Sequence, residues 1–171
     1  MAQSLGRYLR ARLVADCIIK RIHNSMSDKI ICSGSIICSL HTKRFLLLQR
    51  TSAKSLGQWG LVGGTNNDGE TPWQGLEREI EEEIGHLPEF KKIIPLELFV
   101  SNDEKFNFHT YLCFVKDEFI PTLNSEHSGY AWVEFGKWPK PLHQGLRNTL
   151  NNAIIKTKIL TAVDVLDYLE E

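Results

Sequence analysis

A chain of 171 residues with 42% hydrophobic and 24% charged side chains is long enough to bury a proper core and has the balance of an ordinary soluble globule. Its net charge of −1 gives no electrostatic basis for gripping long nucleic acids, whose binding rests on many cationic contacts with phosphate. No apolar run reaches the roughly 18 residues of a membrane span, and the four cysteines, Cys17, Cys32, Cys38 and Cys113, show neither a C-x-x-C pair nor a histidine at zinc spacing, so they read as reduced packing residues of a cytoplasmic protein.

Residues 1–28 stand apart as a basic N-terminal extension to a main domain over 29–171. Leu5, Leu9 and Leu13, and less regularly Ile18 and Ile22, recur at near-helical spacing among Arg7, Arg10, Arg12, Lys20 and Arg21. A basic amphipathic helix of this kind docks on a domain, mediates self-association such as a homodimer, or touches a membrane surface. A packed or partner-contacting extension is expected ahead of membrane or targeting use.

From Lys29 the pattern becomes that of strands. The runs KIICSGSIICSL (29–40) and RFLLLQR (44–50) flank the turn HTK, with Ile30, Ile31, Ile36, Ile37, Leu46, Leu47 and Leu48 assigned to the core. Residues 50–58 read as loop, and 59–62 as a short strand that delivers a turn at Gly63 and Gly64, with Trp59 assigned to packing rather than base stacking. A helix is predicted over 72–84: Thr71 serves as N-cap, Pro72 loses no needed amide at the first position, and Gly85, followed by Pro88, stops it. At about 100° per residue, Glu79, Glu82 and Glu83 share an arc of about 100° beside an apolar arc of Trp73, Leu76, Ile80 and Ile84, while Glu81 points away from both. The runs PLELFVS (95–101) and FNFHTYLCFV (106–115) follow as strands around the turn NDEK. An acidic, proline-containing loop over 116–129 leads to the strand YAWVEF (130–135). A helix over 142–160, carried by Leu142, Leu146, Leu150 and Ile154, is followed by a short final helix from Thr161. Strands, a helix, more strands and closing helices make an α+β domain.

Like charges three and four apart destabilise a helix. Arg78 reaches Glu82 at i, i+4, but one guanidinium does not neutralise three carboxylates. A hard divalent cation, Mg²⁺ or Mn²⁺, is one complement to such a cluster; a solvated acidic face with no ligand is the other reading.

The spacing distinguishes them. From Gly64, five residues lead to Glu70, seven more to Arg78-Glu79-Ile80, then one residue, Glu82-Glu83, one residue and Gly85. This resembles the Nudix box at every position but the last, where His86 stands in place of an aliphatic, with Leu87 the expected substitute in packing. The segment SEHSGYAWVEFGKWPKPLHQG is similar to the tail of small MutT-like Nudix proteins, and Val62 stands where many members carry proline. The resemblance implies a Nudix fold, a mixed β-sheet sandwiched between α-helices, over about 29–155. It also implies a Mg²⁺-dependent pyrophosphohydrolase that cleaves a nucleoside diphosphate linked to another moiety: a nucleoside triphosphate, ADP-ribose or a nucleotide sugar. By the family's pattern Glu79, Glu82 and Glu83 are metal ligands and one of them a candidate base, the Gly64 carbonyl is a further ligand, and Arg78 and Glu70 position the carboxylates. Glu126 and His127 occupy the loop from which some members supply a base; a solvated pair without a role is the alternative. The competing reading of the whole is a Nudix-fold module that binds a nucleotide or a protein without cleaving it. A third has the basic leader direct the enzyme to RNA 5′ ends or to a partner. His109 reads as a strand or pocket-wall residue, and no motif names the nucleotide.

Overall fold

In the computed structural model, which describes residues 29–170, the strands in chain order are β1 (Ile30–Ser39), β2 (Arg44–Arg50), β3 (Trp59–Gly60), β4 (Val62–Thr65), β5 (Phe90–Val100), β6 (Phe106–Val115) and β7 (His127–Glu134). Helix α1 (Pro72–Ile84) lies between β4 and β5, and α2 (Gln144–Asn151) and α3 (Ala153–Glu170) close the chain. The N-terminal extension expected over 1–28 lies outside the described residues.

All seven strands form one sheet. β1 pairs in parallel with β6 along its whole length, from Ile30↔Phe106 to Ser39↔Val115. Its other edge is shared: β2 takes Ile37 and Cys38, and β4 takes Cys32 to Ser35. β2 is likewise shared, with β3 taking Leu48 and Gln49 on the side facing β1 and β7 running along the opposite edge. β1 and β2 therefore splay apart like a fork, and residues 59–65 fill it. That placement brings Gly63 and Gly64 into the middle of the sheet.

Successive strand residues point to opposite faces, so the unbroken apolar runs of β1 and β2 mark strands covered on both sides. Ile37, Leu46, Leu48, Val62 and Cys113 pack against Leu76, Ile80 and Ile84 of α1. Ile36, Phe45, Leu47, Leu112 and Phe114 pack against Leu146, Leu150, Ile155 and Ile159 of α2 and α3. The result is the expected mixed sheet between helices. Trp59 packs against this second core, as expected. Cys32, Cys38 and Cys113 are buried free thiols, and burial pushes Cys38 and Cys113 up to about 12. Among the described residues no helix is long and apolar enough to cross a membrane.

The structure corrects several expectations. Ile30 is 53% exposed and Ile31 only half-buried: on that edge of β1, β4 pairs no further than Cys32↔Thr65, which leaves only β6 beside them. β5 begins at Phe90 rather than 95; Pro95 is tolerated because β5 is an edge strand, where a missing amide breaks no ladder. β7 begins at His127. The tail breaks at Asn152, not near Thr161. Asn152 leaves the helix with ψ 116°, and its Oδ1 accepts from the amides of Ile154 and Ile155 at 3.0 and 3.3 Å. It thus restarts the helix as an N-cap, α3 runs unbroken past Thr161, Leu142 precedes α2, and Ile154 is 69% exposed.

Candidate active site

Helix α1 starts and stops where its local chemistry dictates. Thr71 and Gln74 form a reciprocal capping box, with Thr71 Oγ1 accepting from the Gln74 amide at 3.3 Å and Gln74 Oε1 accepting from the Thr71 amide at 3.0 Å. Gly85 ends it in the left-handed conformation at φ 83°. The helix N-terminal half is tied to the preceding loop by Arg78. Its Nε and Nη2 donate to the two oxygens of Glu70 at 2.9 and 3.1 Å, and Nη2 also donates to the Thr65 carbonyl at 2.9 Å. Nη1 donates to Glu79 at 2.8 Å and reaches both oxygens of Glu82 at 3.4 Å. One guanidinium thus serves three carboxylates. Hydrogen bonding from Arg78, with help from the Asn67 amide, draws the Glu70 carboxyl down to about 2.

The glycine turn presses directly on this helix. At Gly63, φ is 141° and a Cβ would lie 2.2 Å from the Ser33 carbonyl oxygen, so only glycine fits between the strands. Its amide donates to Glu83 Oε2 at 2.7 Å. A Cβ on Gly64 would fall 2.5 to 2.7 Å from the Glu79 carboxylate, which sits against the bare backbone there. Glu79 is raised by burial, against the pull of Arg78.

Glu83 is the departure from the helical-wheel expectation. It shares an arc with Glu79 and Glu82 but is only 2% exposed, because it lies on the seam where α1 meets β4. Burial pushes it up to about 8, opposed by the Gly63 amide. His127, at the start of β7, brings Nε2 to 3.6 Å from Glu83 Oε1 and makes no hydrogen bond through that nitrogen among the described residues. Burial, followed by the charge of Arg50, lowers His127 to about 4. Burial thus works against a charge on either member of this pair. Glu126 is exposed on the facing loop, and its charge contributes to raising both Glu79 and Glu83. Glu82 is half-exposed.

Glu79, Glu82, Glu83, Arg78 and Gly64 are therefore brought together where α1 meets the glycine turn, with Glu126 and His127 facing them. Among the described residues no three His, Cys, Asp or Glu side chains converge closely enough to hold a metal unaided. The donor set nevertheless suits a hard cation: its side chains are all carboxylates, and they outnumber the one arginine that serves them. Mg²⁺ in particular takes one or two carboxylates and completes its shell with water and substrate phosphates.

A cavity of about 400 Å³ borders the turn at Gly63, whose amide holds Glu83, and reaches from there to α2; it is lined by Arg50, Glu97, Phe99, Phe106, Phe108 and Asn148 among others. None of these was singled out by sequence patterning. Arg50 gave the clearest signal, a lone cation closing the apolar run FLLLQ; its charge bears on Glu83, His127 and His143, linking the carboxylates to the cavity. His86 stacks edge-on against Phe119 at 4.9 Å, so it fills its own place, and Leu87 stays 37% exposed instead of substituting.

A sheet between helices, with a glycine turn feeding a capped helix of carboxylates, defines the class. The NUDIX domain model matches residues 33–153, and the chain belongs to that family. It is 33% identical over 70 residues to Nudix hydrolase 7 of Arabidopsis thaliana, covering 40% of this chain and 25% of that protein, so it spans only a quarter of that relative's length. It is 32% identical over 117 residues to the dihydroneopterin triphosphate diphosphatase of Haemophilus influenzae, covering 60% of this chain and 72% of that one. The crystal structure of a MutT NUDIX hydrolase from Burkholderia pseudomallei superposes with a TM-score of 0.61 at 26% identity, covering 73% of this chain and 98% of the other.

Proposed function

We propose that the chain is a metal-assisted pyrophosphohydrolase that cleaves a nucleoside diphosphate linked to another group, with Mg²⁺ or Mn²⁺ held by Glu79, Glu82, Glu83 and the Gly64 carbonyl. The observation that carries this reading is the meeting, at the Gly63-Gly64 turn and next to an aromatic cavity, of Glu79 and Glu82, both held by Arg78, with Glu83, held by the Gly63 amide. The Haemophilus relative is named for splitting a triphosphate, a bond of the same class.

A divalent cation held by these carboxylates would neutralise phosphate oxygens and lower the pKa of a water. The water oxygen forms a bond to phosphorus, the bridging P–O bond breaks, and the departing phosphate keeps its electron pair. The water's proton passes to a carboxylate: Glu82, which solvent reaches, or Glu126 from the facing loop. Arg78 acts through its neighbours, holding Glu79 and Glu82 in place and anchoring the loop through Glu70. Arg50 lies between carboxylates and cavity, where a cation would meet the phosphate chain.

Glu82→Gln and Glu83→Gln test the assignment. Each is expected to lower turnover by about a hundredfold or more, because each removes an interaction used in the transition state, while thermal unfolding shows an intact fold. Undiminished hydrolysis in both variants would refute it.

A further inference from the structure

The wall of the cavity is aromatic: Phe106 lies 6.3 Å from Phe99 and 6.4 Å from Phe108, centroid to centroid. β5 reaches this face by means of an irregularity. Ahead of it, Ile93 and Pro95 pair with Cys113 and Tyr111, whose side chains belong to the α1 side. The register then shifts between Pro95 and Glu97, so that Glu97 pairs with Thr110 and Phe99 with Phe108. A one-residue slip moves every following side chain to the other face. Glu97 is thereby carried into the cavity, where it is the only acidic side chain among the described residues that line it.

Thr149 Oγ1, on α2, donates to Glu97 Oε2 at 2.7 Å and holds the carboxylate in place. A carboxylate has about four acceptor sites, so most of Glu97's capacity is left for a ligand. Glu97 is half-buried at this wall, so those sites are open to a ligand entering the cavity. Asn148 lines the same cavity; its amide oxygen accepts from Gln144 Nε2 at 2.6 Å, which leaves its NH₂ as the available donor.

We propose that this cavity selects a heterocycle of the 2-amino-4-oxopyrimidine class, guanine or pterin, with Glu97 accepting from its ring N–H and its neighbouring amino group. These are two adjacent in-plane donors, which match a carboxylate edge to edge. Adenine and cytosine would set a ring-nitrogen lone pair against the carboxylate, and uracil would flank its single N–H with two carbonyls. Each mismatch leaves a buried acceptor facing another acceptor. The three phenylalanines take the ring face, and Asn148 suits the oxo group. The inference rests on the diphosphatase reading for the phosphates that extend toward Arg50 and Gly63, and it names the group at the other end.

Calorimetric binding of GMP, IMP, AMP and neopterin monophosphate to the full chain tests this without requiring hydrolysis. GMP or neopterin monophosphate should bind about tenfold or more tightly than IMP, which lacks only the amino group, and than AMP; whichever of the two binds tighter identifies the ring. Glu97→Gln should bring GMP to within about threefold of IMP and leave AMP unchanged, and Thr149→Val should narrow the gap in part. If Glu97→Gln fails to fold, the wild-type ratio of GMP to IMP still decides. Equal binding of all four, a preference for AMP, or no measurable binding of any would overturn the proposal. Hydrolysis of triphosphates with no base preference would sink this inference and spare the diphosphatase reading. A GMP preference with no hydrolysis of any triphosphate would do the reverse.

Discussion

Gly63 and Gly64 are adjacent, yet a methyl group added to each meets a different obstacle. At Gly63 it meets the Ser33 backbone, which has nowhere to go, and the residue sits at a φ that side chains rarely adopt. Gly63→Ala should therefore cost about 3 kcal/mol or more of stability. At Gly64 the obstacle is the end of the flexible Glu79 side chain. Gly64→Ala should keep the fold and displace that carboxylate, lowering turnover by about tenfold or more. Denaturant unfolding and turnover of both variants should show stability lost in the first and activity lost in the second; the opposite pattern would contradict the account. Glu83 gives a pH signature. Its folded-state pKa is raised from 4.5 to about 8, chiefly by burial. The folded state prefers the proton, so the stability it contributes is complete below about 4.5 and is lost as the pH rises through about 8. Without divalent cations the melting temperature should fall between about pH 5 and about pH 9, and Glu83→Gln should flatten that fall. Parallel profiles would contradict it. The identities of Gly64, Glu79 and Glu83 were legible in the spacing from Gly64 through Glu70 and Arg78-Glu79-Ile80 to Glu82-Glu83. The burial of Glu83 was not, because helical phase gives an arc and not the position of the strand that meets it.

Helix α1 was legible to the residue at both ends because its signals are local: Thr71 and Pro72 start it and Gly85 stops it. The tail was misread because a leucine every four residues fits one long helix as well as two. The deciding residue is Asn152, whose side chain competes for the amides of Ile154 and Ile155. Asn152→Ala should cost about 1 kcal/mol as a lost cap, and Thr161→Ala, inside the continuous α3, should stay within about 0.5 kcal/mol. Chemical unfolding of the two variants checks this, and the reverse ordering would place the helix start at Thr161 after all. The irregularity in β5 left no mark that composition could show. Which two residues oppose Thr110 is set by β6, and a strand's partner is not written in its own alternation. Glu97 was therefore read as an ordinary strand residue, and the cavity went unseen.

At the scale of the molecule, the two cores have separate uses. The one under α1 fixes the carboxylate helix against the sheet; the one under α2 and α3 leaves the cavity at its end. The fork between β1 and β2 joins them, since residues 59–65 border both the glycine turn and the cavity wall. The layered α+β architecture was legible because apolar runs covered on both faces alternate with one amphipathic helix. The cavity's occupant was not, because that wall is assembled from segments far apart in the chain. The most direct measurement is product analysis of a panel of nucleoside triphosphates incubated with the protein and Mg²⁺. The account predicts cleavage of an anhydride bond to give a nucleoside monophosphate and pyrophosphate, stopping when the metal is chelated. Intact triphosphates throughout, with Mn²⁺ as well as Mg²⁺, would contradict it.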